Sequence, residues 1–255
     1  GLFSTEIIQG NAIWIVKEAG VIAGLPIAAR VFHLLNEKVN FTDAVSEGDF
    51  CEKGKIIAEI NGPLDALLTG ERVALNLAMR LSGIASMTRK YADKIADLPT
   101  QLVDTRKTTP GLRILEKYAT AVGGAINHRM GLDDAVMIKD NHIAAAGGIG
   151  EAIAQIRKTI PYPLTVEVET ENLEQVKEAI ARQADIIMLD NMPIETMKKA
   201  VELIRQQNNQ IKIEASGNIT IKTIRGVAET GVDYISTSAP ITRSTWLDLS
   251  MKINN

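Results

Sequence analysis

Cysteine is nearly missing from this sequence, since Cys51 is the single one among 255 residues. A lone cysteine excludes a disulfide within the chain and is typical of a reducing compartment. Long apolar runs are missing as well: no stretch approaches the ~18 residues that a membrane-spanning helix needs, and no secretory signal opens the chain. The first residue is Gly1 rather than Met, which suggests a processed N-terminus. We therefore expect a soluble cytoplasmic protein without membrane contact.

A large excess of charge of either sign is also missing. The formal net charge is -3, which argues against a general binder of nucleic acids or anionic membranes. The three histidines have no zinc-type spacing with Cys51. The remaining composition, 45% hydrophobic and 23% charged residues, is ordinary for a globular protein and predicts one large or two modest domains.

The chain divides into two parts of different periodicity. Residues 10–62 alternate short β-type runs with turns and predict a small β sandwich. A lipoyl-type domain has a similar pattern of strands and turns, but it carries its modified lysine in an Asp-Lys hairpin, which is missing here. From Thr69 to Asp97 apolar residues recur with a helical period, and Pro99 closes this part. We expect domains at 1–99 and 100–240, with 241–255 packing back on the first.

From residue 101 onward, strand, loop and helix patterns alternate, which predicts parallel βα units. Predicted strands span 101–104, 135–139, 164–169, 185–190, 211–216 and 233–236, with a short one near 124–128. Predicted helices span 111–122, 149–159, 172–182, 193–207 and 220–229. The dinucleotide and P-loop interpretations lack their fingerprints, because neither GxGxxG nor GxxxxGK[ST] occurs.

Polar residues recur at the carboxyl end of strand after strand, while the strand bodies stay apolar. These ends carry Asp104-Thr105-Arg106-Lys107, Lys139, Glu169, Asp190, Ser216 and Ser236. In a (β/α) barrel all such ends converge on one mouth, where active sites of that fold lie. In an open sheet the outer strands could not all reach one ligand. The pattern therefore favours a barrel.

Strand alternation places several acids on one face of this sheet. In LTVEVE, Glu167 and Glu169 share a face opposite two valines, and in IKIEAS, Glu214 shares a face with Ser216. Buried acids need partners to stay ionised. The cations available nearby are Arg106, Lys107, Arg129 and Lys139. Either a structural ion-pair network or a ligand site of mixed sign fits this pattern.

A phosphorylated sugar with Mg²⁺ needs both signs of charge, because magnesium commonly lies between carboxylates and substrate phosphates. The segment EASGNIT (214–220) reads as a strand followed by a turn into a helix, where free amides bind phosphate. The hydroxyl-rich Ser236-Thr237-Ser238-Ala239 follows the next strand. Two such loops on neighbouring late strands are typical of the phosphate site of barrels.

Several motifs together resemble the quinolinate phosphoribosyltransferase family, also called carboxylating nicotinate-nucleotide pyrophosphorylase. They are ERVALNLAMRLSGIAS (71–86), DTRKTTPGLRILEKYA (104–119), GGAINHRMGLDDAVMIKDNHIAA (123–145), VEVETENLEQ (166–175), ADIIMLDN (184–191) and EASGNIT (214–220). The resemblance covers nearly the whole chain in the right order. It implies an N-terminal α/β sandwich and an open, seven-stranded α/β barrel. It also implies a homodimer, or a higher oligomer, whose active sites are shared across subunits.

The resemblance further implies a reaction between quinolinate and phosphoribosyl pyrophosphate that uses Mg²⁺. Its products are nicotinate mononucleotide, pyrophosphate and CO2. Carried over residue by residue, it assigns Thr105, Arg106, His128, Arg129 and Lys139 to the quinolinate subsite, and Lys107 lies between quinolinate and pyrophosphate. It assigns ribose and magnesium binding to Glu169 and Asp190. It assigns phosphate binding to Ser216, Gly217, Asn218, Thr237, Ser238 and Ala239. As catalytic residues it implies Lys107, Lys139, Glu169 and Asp190.

Arg72 is implied to enter the site from the other subunit. If a capping box starts the helix at Thr69, Arg72 lies in the first turn, where a cation is disfavoured and Glu is preferred. We expect such a misplaced cation to serve function rather than structure.

The sequence departs from the family at two places. Relatives typically begin further upstream with a helix and an acidic turn that are missing here. The last phosphate loop is typically close to SVGALTHS but reads STSAPITRS, with Ser238 in place of a glycine and Arg243 in place of a histidine.

Four rival functions stay open at this point. Nicotinate phosphoribosyltransferase acts on a monocarboxylate, which the surplus of cations disfavours. A paralogue associated with molybdenum transport typically replaces the IKDNH segment, which is present at 138–142. Lys139 could form a Schiff base in an aldolase, although the neighbouring acids favour its charged form. A non-catalytic metabolite sensor is the fourth alternative.

Overall fold

The computed structural model describes residues 8–254, which fall into two units. The first unit comprises the described chain up to Arg89, the segment Ile114–Gly124 and the described chain from Arg243 onward. The second comprises Lys90–Arg113 and Ala125–Thr242. Ile114–Gly124 thus groups with the first unit, although the sequence division places it at 100–240. The expected boundaries themselves remain a prediction, and the expected processing at Gly1 lies outside the described residues.

The secondary-structure elements follow one another in two series. Those up to the long helix are β1 (Gln9–Val16), β2 (Gly20–Val21), α1 (Leu25–Leu35), β3 (Asn40–Asp43), β4 (Phe50–Cys51), β5 (Ile56–Pro63) and α2 (Leu64–Ala92). Those that follow are β6 (Gln101–Val103), α3 (Arg113–Val122), β7 (Val136–Ile138), α4 (Asp140–Ala146), α5 (Ile149–Arg157), β8 (Val166–Thr170), α6 (Leu173–Ala181), β9 (Ile186–Asp190), α7 (Ile194–Gln207), β10 (Lys212–Ser216), α8 (Ile224–Ala228), β11 (Tyr234–Ser236), α9 (Ala239–Thr242) and β12 (Leu249–Asn254).

An antiparallel sheet in the order β12-β1-β5-β3 organises the first unit. Because β12 pairs with β1, the C-terminal strand belongs to this sheet. The core contains Trp14 and Phe32, both fully buried, with Phe41 packed beside them. The rings of Trp14 and Phe41 meet edge to face at 5.5 Å between centroids, an arrangement that adds to the stabilisation by burial. The unit is an α/β sandwich, as the resemblance implies.

A six-stranded sheet in the order β6-β11-β10-β9-β8-β7 organises the second unit, and all its neighbours are parallel. The short strand predicted near 124–128 is reduced to a single bridge between Val103 and Ile126. Within residues 8–254 that bridge segment and β7 do not pair, so the barrel is open. The fold class of the open seven-stranded barrel is therefore confirmed, with the second strand in chain order reduced to one bridge at Ile126.

Two helical predictions for the chain after β6 need correction. The sequence pattern missed α4, which begins directly after Lys139 because the backbone N–H of Lys139 donates to Nδ1 of His142, 3.0 Å away. The helix predicted over 220–229 is limited to α8, because Thr220 and Thr223 bond to each other's hydroxyl and backbone groups and form a turn. Local side-chain to backbone bonds of this kind compete with helix formation.

No helix within the described part of the chain is both long enough and apolar enough to cross a bilayer.

Candidate active site

The register of the parallel sheet aligns charged side chains at its carboxyl edge. Glu169 of β8 and Glu214 of β10 both pair with Met188 of β9, so the three form one row on one face. In the next row Ser216 pairs with Asp190. The valines of β8 occupy the other face and are fully buried. The predicted alternation is therefore confirmed, because the acids share the face opposite the apolar residues.

His128 lies between two of these acids. Its Nε2 is 3.4 Å from Oε2 of Glu167 and 3.5 Å from Oε2 of Glu214. The His128 side chain is 14% exposed and the two carboxylates are buried. Oε1 of each glutamate is buried without a hydrogen-bond partner among residues 8–254. We call these three residues the His128 cluster.

The His128 cluster retains a proton at neutral pH. Burial lowers the pKa of His128, but the hydrogen bonds and charges of Glu167 and Glu214 outweigh burial and raise that pKa to about 10. Burial and repulsion by Glu214 also raise the pKa of Glu167, against the effect of His128. Both shifts have the same consequence: the folded cluster binds a proton more tightly than separated groups do.

The other ring nitrogen constrains where that proton lies. The backbone N–H of Arg129 donates to Nδ1 of His128 at 2.7 Å, and a nitrogen that accepts a hydrogen bond carries no proton. In the neutral ring the proton therefore lies on Nε2, between the carboxylates, and charging the ring puts a second proton on Nδ1 at the expense of the hydrogen bond from Arg129. Although all three are metal-ligand types within 4.8 Å of one another, the hydrogen bonds identify a proton-holding cluster.

Asp104 fixes the segment that carries His128. One of its carboxylate oxygens accepts the backbone N–H of His128 at 2.8 Å, and the other accepts the side-chain N–H of Asn127 at 2.7 Å. Because Asp104 directly precedes Thr105-Arg106, it joins the two loops that carry the predicted quinolinate ligands. The sequence showed an acid at this strand end but gave no sign of these partners.

The guanidinium groups of Arg106 and Arg129 repel each other. Burial and the charge of Arg106 lower the pKa of Arg129, against the effects of Glu167 and Asp134. Each guanidinium donates to a backbone carbonyl, Arg106 to Gly131 at 3.5 Å and Arg129 to Ala135 at 3.1 Å. Two like charges held close together by neutral carbonyls favour a bound anion.

The two predicted lysine ligands, Lys139 and Lys107, differ in their partners. Nζ of Lys139 lies 3.0 Å from Oε2 of Glu169, and the lysine side chain is 44% exposed. Since Ile138 pairs with Val168, the sheet register itself places these two residues side by side. Lys107 is exposed, and its backbone N–H donates to the Thr105 hydroxyl at 3.1 Å. Thr105 therefore stabilises the turn on which both Arg106 and Lys107 lie.

The two predicted phosphate loops follow β10 and β11. After β10, Ser216 is half-buried, and Gly217 and Asn218 have positive φ angles of 89° and 52°, so the chain turns sharply at the strand end. After β11, the Thr237 hydroxyl accepts the N–H of Ala239 at 3.2 Å and Ser238 is half-buried. The phosphate contacts of both loops stay a prediction.

Arg72 belongs to the first unit, and the argument for its unusual position is wrong. The helix α2 begins at Leu64, directly after β5, so Thr69 is not its cap and Arg72 lies in its interior. Asp65 provides an acid in the first turn of the helix, which favours a start at this place. The Arg72 side chain is 69% exposed and pairs with Glu71 at 2.6 Å, as an ordinary surface arginine does.

Magnesium requires hard oxygen ligands, and Glu169 and Asp190 supply them. Both are half-buried acids at the carboxyl edge of neighbouring strands. One or two carboxylates, completed by phosphate oxygens and water, are the typical protein ligands of Mg²⁺. The residues present thus fit a magnesium ion that arrives with a phosphorylated substrate.

An open parallel barrel with cations and carboxylates gathered at its carboxyl edge defines a class of protein, the α/β barrels that bind anionic ligands. Comparison with known proteins narrows the class. Family models described as the N-terminal and C-terminal domains of quinolinate phosphoribosyl transferase match residues 4–82 and 84–252. The chain belongs to the quinolinate phosphoribosyltransferase family.

Individual relatives agree with this assignment. The chain is 62% identical over 245 residues to the probable nicotinate-nucleotide pyrophosphorylase (carboxylating) of Synechocystis sp., covering 96% of this chain and 83% of the relative. It is 47% identical to the protein of the same name in Bacillus subtilis, covering 94% and 82%. The crystal structure of NadC from Streptococcus pyogenes is 45% identical, with a TM-score of 0.94 over 99% of this chain and 88% of that one.

Proposed function

We propose that this chain transfers a phosphoribosyl group from phosphoribosyl pyrophosphate to quinolinate with loss of CO2, giving nicotinate mononucleotide and pyrophosphate in NAD biosynthesis. This activity makes it a pentosyltransferase. The observation that carries the proposal is the pair of mutually repelling guanidinium groups, Arg106 and Arg129, in a chain of this family. Quinolinate is a small planar dianion, and arginine forks match carboxylates in geometry and charge.

The cations bind and orient quinolinate. Arg106 and Arg129 hold its carboxylates, with Thr105 supporting Arg106, and His128, whose Nε2–H faces Glu167 and Glu214, lies next to Arg129 in the chain. Lys139, paired with Glu169 at 3.0 Å, lies where quinolinate and ribose meet. Charge-assisted hydrogen bonds in a partly buried site fix the ring so that its nitrogen faces the anomeric carbon.

Transfer needs neither a nucleophilic side chain nor a general base. The pyridine nitrogen attacks the anomeric carbon as pyrophosphate leaves, and Lys107 stabilises the charge on the leaving group. Departure of the adjacent carboxylate as CO2 then leaves its bonding electron pair on the ring carbon, where the neighbouring positive nitrogen stabilises it until a proton from solvent forms the new C–H bond. Catalysis is therefore positioning and electrostatics, in which Lys107, Lys139, Glu169 and Asp190 contact the reacting groups.

Glu169 and Asp190 bind the ribose hydroxyls and would hold Mg²⁺, which supplies charge neutralisation for the diphosphate when bound. The phosphate lies against the amides and hydroxyls of the two loops that follow β10 and β11. These loop residues are Ser216, Gly217, Asn218, Thr237, Ser238 and Ala239.

The functional form is a homodimer or a higher oligomer in which Arg72 completes the active site of a second copy. Its exposed side chain supports this role. Mixing an Arg72→Ala variant with an Arg106→Ala variant and allowing subunit exchange tests it. Random exchange between two-fold dimers restores one intact site in each mixed dimer and about a quarter of wild-type activity. No recovery on mixing rejects a shared site.

Product analysis by mass spectrometry tests the function itself. The chain is incubated with phosphoribosyl pyrophosphate, Mg²⁺ and either quinolinate or nicotinate. Nicotinate mononucleotide from quinolinate alone, with release of CO2, is the expected result. Product from nicotinate alone assigns the non-decarboxylating activity instead. Failure with both substrates points to the transport paralogue or a sensor, and borohydride trapping on Lys139 would identify an aldolase.

A further inference from the structure

Asn191 has a left-handed backbone conformation at the carboxyl edge of the sheet. Among residues 8–254, three residues other than glycine have positive φ: Gln183 at 59°, Asn191 at 53° and Asn218 at 52°. Asn191 directly follows β9, and Asn218 follows the neighbouring β10 by one residue more. Positive φ costs free energy for a residue with a side chain, and such residues cluster at functional sites. Asn191 and Asn218 have this conformation at the ends of adjacent strands, so a structural reason for the pair is expected.

The side chain of Asn191 explains the conformation of both residues, because it joins the two strand ends. Its Nδ2 donates to Oδ2 of Asp190 at 2.7 Å, and its Oδ1 accepts from Nδ2 of Asn218 at 2.9 Å. The orientation of the amide follows from chemistry, since an ionised carboxylate only accepts and so must face the nitrogen. The oxygen is thereby turned toward Asn218. A third bond, from the backbone N–H of Asn191 to the carbonyl of Ser216 at 3.0 Å, fixes the same connection.

Gly217 confirms that the Asn191 amide has one defined place. A Cβ atom on Gly217 would lie 2.3–2.7 Å from the amide atoms of Asn191, and Gly217 itself has φ of 89°. The amide therefore lies directly over the Gly217 backbone, in space that only a glycine leaves open.

We propose that Asn191 is a positioning residue that locks the ribose-binding carboxylate of Asp190 to the phosphate loop Ser216–Asn218. The proposal rests on the proposed function and extends it to a residue that contacts neither reacting group. It concerns only the half of the site that receives phosphoribosyl pyrophosphate, because the amide bonds to Asp190 and Asn218 and to none of the quinolinate ligands. The lock holds the ends of β9 and β10 together through these hydrogen bonds.

Asn191→Asp tests the lock with the least change in shape. Aspartate tolerates positive φ as asparagine does, but it cannot donate to Asp190. Loss of a supporting hydrogen bond of this kind typically costs about 10- to 100-fold in affinity or activity. Isothermal titration of each ligand alone, with Mg²⁺ present, is the readout. We expect phosphoribosyl pyrophosphate to bind about 10- to 100-fold more weakly, and quinolinate to bind as it does to the wild type.

A second variant separates the lost donor from the added charge. Asn191→Gly keeps the backbone conformation and removes the amide without adding a carboxylate, so it should weaken phosphoribosyl pyrophosphate binding as well. Gln183→Gly is the matched control, since it changes a residue with a similar positive φ that precedes the opposite end of β9. It should bind both ligands as the wild type does, with an unchanged melting temperature.

The other possible results of these binding measurements would overturn the proposed lock or the proposed function. Normal phosphoribosyl pyrophosphate binding by Asn191→Gly, with weak binding by Asn191→Asp, shows charge repulsion alone and overturns the lock. Equal weakening for both ligands shows a general structural role and overturns it too. If the wild type binds phosphoribosyl pyrophosphate but never converts quinolinate, the proposed function fails while the lock is still decided by binding. If the wild type does not bind phosphoribosyl pyrophosphate, both fail.

Discussion

Replacing Glu214 by glutamine removes one of the two charges that hold a proton on the His128 cluster. Glutamine keeps the size of the side chain, and its carbonyl oxygen can still accept the Nε2–H of His128. The substitution therefore isolates charge from shape at a position that is buried in the sheet.

The size of the effect follows from the distances. A carboxylate 3.5 Å from Nε2 attracts a charged ring by about 5 kcal/mol at an effective dielectric constant near 20, or about 3.5 pKa units. Two such carboxylates would raise the pKa of His128 by more than the shift from 6.5 to about 10, and burial, which lowers this pKa, accounts for the difference. With one carboxylate left, we expect the pKa of His128 to fall to between about 6.5 and 8.

Proton NMR of the imidazole Hε1 signals measures this value directly, because the chain has only three histidines. Histidine-to-glutamine substitution at His33 and His142 assigns the remaining signal. Glu174→Gln serves as the charge-matched control: it removes one negative charge at a side chain that is 81% exposed, and the pKa of His128 should stay near 10.

Two results would refute the reasoning. If the wild-type ring titrates near its ordinary pKa, the carboxylates do not hold the proton. If Glu214→Gln leaves the value near 10 with an intact melting transition, Glu214 contributes nothing.

Three further predictions follow from other contacts. Arg106→Ala should cost about 2–4 kcal/mol of transition-state stabilisation, seen as a fall in kcat/KM for quinolinate; an unchanged value removes Arg106 from the site. Glu47→Ala should lower the free energy of unfolding by about 1–3 kcal/mol, because the Glu47 carboxylate accepts the N–H groups of Gly24 and Leu25 where α1 begins; thermal denaturation measures it, and a wild-type melting temperature contradicts it. Stability should also fall as pH rises from 6.5 toward 10, because the folded state binds the proton of His128 more tightly than the unfolded state; the stabilisation is complete below pH 6.5, and chemical denaturation at several pH values should show a smaller fall for Glu214→Gln.

Local patterns in the sequence were enough to predict the parallel sheet and the face that carries the acids. Alternation in VEVE placed Glu167 and Glu169 opposite the valines, and side-chain period two makes that outcome independent of long-range packing. The start of α2 was missed because Thr69 resembles a cap, while the true start at Leu64 depends on how β5 ends. Helix ends are set by such contacts rather than by propensity alone.

The sequence by itself therefore determined which elements and groups are present. These are the parallel βα units, the cations and acids at the carboxyl ends of strands, and the two loops that carry Arg106 and Arg129. The tertiary structure decided which of these groups meet. Glu167 and Glu214 lie far apart in the chain, yet parallel register and a segment tied down by Asp104 bring both to His128. The amide lock of Asn191 is likewise invisible in the sequence. It arises only where two neighbouring strands end side by side, because hydrogen bonds depend on distances of about 3 Å that no local pattern encodes.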